Sequence, residues 1–366
     1  MDRVRLRDVA KKAGVHPGTA SRALNPDARH EVNAETVRRV EQAARRLGYV
    51  PNTLARGLRT SRSFVVALVV PDITNALFPP IVRGAERVLS AAGFTLVLTD
   101  TNNDPDTERT QIAAMRARGV DGFIVATARW ADPALEELAG DGVPTVLVNR
   151  RHGDAALPYV GADDQHGIQM CVDHLADLGH RRILHLAGPQ NTSTGRERTT
   201  AFQAAMRARR LPGTGSVVQC AAFTEAAGAE ATSVLLDKGR EFTALVAGND
   251  LLALGAQAVL EERGLSCPGD VSITGYNDLN FVARLKPPLT TVRLPLDMMG
   301  ELAARALLDW IRKPDEHAAV QTLLPVEFIE RGTTARDGMQ GAQAARATTR
   351  RGGASTRRAD TAMRSI

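Results

Sequence analysis

"KKAGVHPGTASRALN", residues 11–25, sets Gly14 and Pro17 inside a short basic stretch and frames both with small apolar residues. Leu6, Val9, Ala10 and Ala13 recur at helical spacing, and Gly14 supplies the left-handed or tight-turn backbone that ends such a helix. Pro17 suits the first position of a second helix, where its missing N–H costs nothing, and Ala20, Ala23 and Leu24 give that helix a small apolar face. Asn33 is placed to cap a third helix with Val37, Val40, Ala44 and Leu47 on one side, closing a three-helix core before Gly48. Gly18, Thr19, Ser21 and Arg22 then point away from the core. Short side chains with one guanidinium let a helix enter a major groove, where arginine grips guanine O6 and N7. An ordinary helical hairpin with a solvated face has the same local pattern, so the rest of the chain must decide.

Charge separates the two readings. Residues 1–63 hold fourteen Arg and Lys against six Asp and Glu, a net of +8, although all 366 residues sum to only +5. Residues 336–366 add seven Arg against two Asp, which leaves −8 for residues 64–335. A basic head on an acidic body is the pattern of a phosphate-binding module attached to something that avoids the polyanion. The N-terminal "MDRVRLRDVA" has no apolar signal core, and Phe64 to Val70 is too short to span a bilayer, so a cytoplasmic protein without membrane contact is expected. Cys171, Cys220 and Cys267 lack CxxC spacing and read as buried thiols.

From residue 64 the pattern becomes short apolar runs separated by helical stretches: "FVVALVV", "FTLVLTD", "VDGFIVA", "TVLV", "RILHLAG", "SVVQC", "TALVAGND" and "VSITGY". Near-continuous apolar runs read as buried parallel strands, so βαβ units wound into open parallel sheets are predicted. About 270 residues exceed one comfortable core, so two lobes are expected. Ligands in such folds sit beyond the carboxyl ends of strands. Those ends are Asp72 to Phe78, Asp100, Thr127, Asn149 with Arg150, Asn191 to Arg198, Asn249 with Asp250, and Asn277 with Asp278.

Six stretches, in order along the chain, resemble the lactose-repressor/purine-repressor family: "LRDVAKKAGVHPGTASRALN" (6–25), "LGYVPNTLARGLRTSRS" (47–63), "LGHRRILHLAGP" (178–189), "AGNDLLALG" (247–255), "VSITGYND" (271–278) and "PPLTTV" (287–292). The resemblance implies an all-α helix-turn-helix headpiece over residues 1–50 and a hinge helix with linker over 51–63. It further implies a two-lobed α/β body over 64–335, shaped like a periplasmic binding protein with two open parallel sheets. Residues 336–366, rich in Arg and without Leu, are expected to form a basic disordered tail. Homodimers on pseudo-palindromic double-stranded operator DNA, controlled by a small-molecule effector, are the implied partners.

Residue by residue, the resemblance assigns base reading to Pro17, Gly18 and Arg22, with Asn25 near the DNA backbone. His16 and Arg5 stand where relatives carry capping Ser and Thr, so both helix caps must be made differently, and specificity leans on Arg22 and His16. In the hinge, Asn52 is placed to cap two turns in which Leu54, Ala55 and Leu58 share a side. The family's hinges enter the minor groove, which makes Asn52, Ala55 and Leu58 contact residues and Leu58 the wedge.

In the body the effector positions implied are Asn75, Leu77, Phe78, Asp100, Thr127 and Asn149, then Thr192, Thr194, Arg198, Phe223, Asn249 and Asn277. Two phenylalanines, an arginine and several amides suit a small polar ring, and a sugar fits best. Asn277 replaces a carboxylate common in relatives, which puts direct carry-over of a known ligand in doubt. Trp130 reads as a rim residue, and "ADDQHG" (162–167) as helix capping rather than a metal site.

No GxGxxG follows the first strand, and no P-loop, GxSxG or HExxH occurs, so no catalytic residue, cofactor or metal is expected. The competing reading by fold is a solute-binding protein without DNA function.

Overall fold

A computed structural model describes residues 4–25, 28–49, 62–153, 156–212, 216–239 and 241–338. The hinge residues Asn52, Ala55 and Leu58, and the tail from residue 339, lie outside the described residues. The described residues fall into two compact units divided between Phe64 and Val65.

In the first unit, α1 (Leu6–Ala13) ends on Gly14 at φ 67°, α2 begins on Pro17 (Pro17–Ala23), and α3 (Ala34–Leu47) ends on Gly48 at φ 63°. Each glycine occupies the left-handed region, from which its backbone N–H reaches back to the last helical carbonyls. The core is built from small residues, Val9, Ala10, Ala13, Ala20, Ala23, Val37, Val40, Ala43 and Ala44. Alanine at the contacts lets three short helices approach closely around very little apolar volume.

The second unit holds two parallel sheets. Val- and Leu-rich runs form β1 (Val65–Val70), β2 (Thr95–Asp100), β3 (Gly122–Val125), β4 (Thr145–Val148), β5 (Tyr159–Ala162) and β11 (Gln321–Leu324), in the order β11-β5-β4-β3-β1-β2. The second sheet has the order β7-β6-β8-β9, from β6 (Ile183–Ala187), β7 (Val217–Gln219), β8 (Ala244–Ala247) and β9 (Ser272–Thr274). An antiparallel pair, β10 (Thr291–Arg293) and β12 (Glu327–Ile329), completes the strands among the described residues. β2 is half-exposed because it lies at a sheet edge, although its apolar run reads as a buried strand.

The helices of the first lobe are α4 (Phe78–Ala91), α5 (Pro105–Ala117), α6 (Pro133–Gly140) and, from far down the chain, α11 (Leu296–Arg312). Those of the second are α7 (Asp164–Asp177), α8 (Ser193–Ala208), α9 (Glu225–Asp237) and α10 (Asp250–Glu262). α11 packs on α4 and on the strands β3, β4 and β5 of the first sheet. The chain therefore leaves the first lobe after β5, returns as α11 and β11, and leaves again at β12. Three connections at one border make a hinge between lobes.

Candidate functional site

On α2 the chain puts its polar face outward: His16, Pro17, Gly18 and Arg22 are exposed, and Asn25 is half-buried. His16 caps the helix in place of serine, its ring Nδ1 accepting a hydrogen bond from the Gly18 N–H at 3.1 Å. At α1 the Arg5 N–H donates to the Asp8 carboxylate at 2.8 Å, so the cap is made from the first turn inward. The Arg22 side chain has no hydrogen bond or ion pair among the described residues, which leaves its five guanidinium donors available.

In the second unit, a cleft of about 190 Å³ opens between the lobes. The first lobe lines it with Asn75, Leu77, Phe78 and Asn149, and the second with Thr192, Thr194, Arg198, Phe223, Asn249 and Asn277. Four helices of thirteen residues or more start at its walls: α4 after Leu77, α8 after Thr192, α9 after Thr224 and α10 after Asn249. Thr192 and Asn249 cap their helices, accepting from the Gly195 N–H at 3.2 Å and the Leu252 N–H at 2.8 Å. Asn149 and Asn277 hold φ of 65° and 122°, backbone that side chains adopt reluctantly and that asparagine tolerates better than most.

Arg198 is 4% exposed rather than a surface cation. One Nη donates to the Gly248 carbonyl at 2.7 Å, the other lies 3.1 Å from the Asp164 carboxylate, and the Tyr276 ring sits 4.0 Å from the guanidinium carbon. Burial opposes its charge, but Asp164 and then Tyr276 outweigh burial and hold its pKa above the usual value. Asp164 itself is pushed up, by burial first, against the pull of Arg198. The "ADDQHG" stretch thus divides: Asp163 caps α7 by accepting from the His166 N–H at 2.9 Å, whereas Asp164 is a buried ion-pair partner.

Two expected residues are not among those lining the cleft. Asp100 is exposed and accepts from the Asn102 N–H at 2.9 Å, closing a loop in which Asn102 and Asn103 are left-handed. Thr127 is buried and donates to Glu108, which also takes the Arg129 guanidinium at 2.6 Å. Asp132 lies 3.6 Å from that same arginine. Trp130 stands outside the lining: the guanidinium carbons of Arg151 and Arg196 lie 5.0 and 4.6 Å from its ring centroid, and its backbone N–H donates to the Asn191 carbonyl at 2.7 Å. With the Arg151–Glu197 ion pair at 2.6 Å, these contacts tie the lobes together beside the cleft.

Asp72, Asn103, Arg129, Arg150 and Asn191 also line the cleft, although the family resemblance does not single them out. Three of them, Asp72, Arg150 and Asn191, fall within the strand-end stretches that the fold rule singles out. Arg150 is the most unusual. Its Nε is buried without a partner, and burial, with the like charges of Arg129 and Arg198, pushes its pKa down to about 10. The Arg198 Nε and the Asn277 Oδ1 are also buried without partners.

Residues 5–52 match the model of bacterial regulatory proteins of the lacI family, and residues 63–332 match that of periplasmic binding proteins and the sugar binding domain of the LacI family. An uncharacterized HTH-type transcriptional regulator in the aml 5′ region of Streptomyces limosus is 36% identical over 345 residues, covering 91% of this chain and 95% of the relative. The structure of a lac repressor dimer bound to operator and the anti-inducer ONPF aligns with a TM-score of 0.79 at 26% identity, covering 91% of this chain and all of that one. A complex of the transcriptional regulator CelR with cellobiose aligns with a TM-score of 0.70 at 31% identity, covering 90% of this chain and all of that one. With both its head and its two-lobed body matched in order along nearly the whole chain, this protein belongs to the LacI family of bacterial transcription regulators.

Proposed function

We propose that the chain acts as a homodimeric repressor on pseudo-palindromic operator DNA and that a small polar ligand, of carbohydrate type, controls it through the cleft. The observation that carries this reading is that one chain joins an exposed basic helix pair, with the Arg22 side chain unpaired among the described residues, to a polar cleft with three unsatisfied buried polar atoms. Buried polar atoms without partners cost stability and are retained where a ligand satisfies them. Arg22 reads a base edge in the major groove, His16 sets the entry of the helix, and Asn25 lies at the phosphate backbone. Asn52, Ala55 and Leu58 contact the minor groove of the operator. In the cleft, Phe78 and Phe223 take the apolar face of the ring, while Asn75, Asn149, Asn249 and Arg198 bind its edge. Closing the lobes on ligand changes the spacing of the two heads, so ligand and DNA affinity are coupled.

Gel-shift titrations on a duplex selected by the full chain from a random pool, against a scrambled duplex, test the reading of α2. Arg22→Ala costs about 1–3 kcal/mol per half-site on the selected duplex and leaves the salt-sensitive affinity for the scrambled one nearly unchanged. An unchanged ratio between the duplexes contradicts the assignment.

A further inference from the structure

Three arginines line the cleft, Arg129, Arg150 and Arg198, against one lining carboxylate, Asp72. Two of the three already have a counter-charge: Arg198 is paired with Asp164, and Arg129 with Glu108 and Asp132. Asp72 is half-buried, and its Oδ1 is occupied by the N–H and hydroxyl of Thr74, at 2.8 and 2.6 Å. Arg150 alone has no hydrogen bond or ion pair to its side chain among the described residues. Glu108, the one carboxylate whose charge supports that of Arg150, is already engaged by Arg129. Glu108 and Asp132 share Arg129, and their crowding in a buried site raises the Glu108 pKa, burial first and Asp132 second. The start of α4 adds further positive potential, since Leu77 gives it no side-chain cap.

An unpaired, partly buried guanidinium beside two other cations is costly in the empty cleft and favourable once an anion arrives. Resting on the effector reading above, we propose that the ligand carries an oxyanion, a carboxylate or a phosphate, which closes on the Arg150 guanidinium. Its neutral polyol portion then occupies the asparagine-lined remainder. The planar fork of arginine accepts either anion through two parallel hydrogen bonds, so the chemistry shared by a sugar acid and a sugar phosphate is what the residue selects.

Calorimetric titration of the full chain with pentoses and hexoses, each as neutral sugar, sugar acid and monophosphate, tests this. For at least one sugar the charged form binds about tenfold or more tightly than its neutral parent, and Arg150→Gln removes that preference while Arg150→Lys restores part of it. Tighter binding of the acid identifies a carboxylate, and of the monophosphate a phosphate. Unliganded Arg150→Gln melts at or above the parent's temperature, because it loses an unpaired buried charge; a fall in melting temperature would mark Arg150 as structural and overturn the proposal. A neutral sugar that binds parent and Arg150→Gln alike, with no preference for its charged forms, overturns the anion and leaves the regulated cleft standing. Silence from the entire panel overturns both.

Discussion

Removing the Arg198 side chain affects more than the cleft. Its partner Asp164 is 5% exposed, so Arg198→Ala leaves an uncompensated buried carboxylate and lowers unfolding free energy by about 3–5 kcal/mol. Urea denaturation checks this, and the double change Arg198→Met with Asp164→Leu recovers most of the loss; equal instability in single and double variants would contradict the pairing. His185 supplies a pH signature. It is fully buried on the Phe202 ring, with Nδ1 2.8 Å from the Val246 carbonyl, and burial pushes its pKa down to about 4. An unfolded histidine takes its proton near pH 6.5, so this contribution is complete above pH 6.5 and is lost as pH falls toward 4, on the order of 3 kcal/mol. Melting curves across that window should flatten in His185→Phe relative to the parent. At this scale the sequence reading finds residue types and misses partners. Arg150 is visible as the residue after Asn149 at a strand end, but its lack of a carboxylate is a property of three dimensions. Asp100 and Thr127 stand at strand ends too, and the rule that ligands sit there does not say which side chains turn toward the cleft.

Between elements, glycine permits close backbone approach. α4 and α11 cross where Gly84 faces the Asp297 carbonyl and Gly300 faces the Ile81 carbonyl; an added Cβ would come within 2.0 and 1.9 Å of those oxygens. α9 and α10 repeat the arrangement, with Gly228 against Leu252 and Gly255 against Glu225. Helix propensity alone would make Gly300→Ala stabilising by up to about 1 kcal/mol. Backbone contact reverses the sign, and thermal unfolding of Gly300→Ala should show a net loss of about 1–3 kcal/mol; a gain would mean that the helices separate without cost. The three head helices and the eight strands named from apolar runs were legible because periodicity and turn residues are local. β5, β10, β11 and β12 were not: β5, though buried, has only four residues with Gly161 among them, and β10, β11 and β12 are short strands of mixed exposure, such as Gln321–Leu324, so none carries an apolar run of its own.

For the molecule as a whole, two lobes are predictable from length, but their interleaving is not. α11 and β11 return to the first lobe because its sheet and α4 offer an uncovered apolar surface, a fact of packing rather than of local sequence. Three connections, the contacts of Arg151 and Arg196 with the Trp130 ring, and the Arg151–Glu197 ion pair together give the cleft a defined closure. Such a closure is useful only if the state of the cleft alters the affinity of the head for DNA. Fluorescence anisotropy of the selected duplex, titrated with the full chain with and without a saturating cleft ligand found by calorimetry, measures that coupling directly. The expected result is a shift in DNA affinity of about fivefold or more, corresponding to a coupling of roughly 1–3 kcal/mol. A ligand that binds the cleft and leaves DNA affinity unchanged would contradict it.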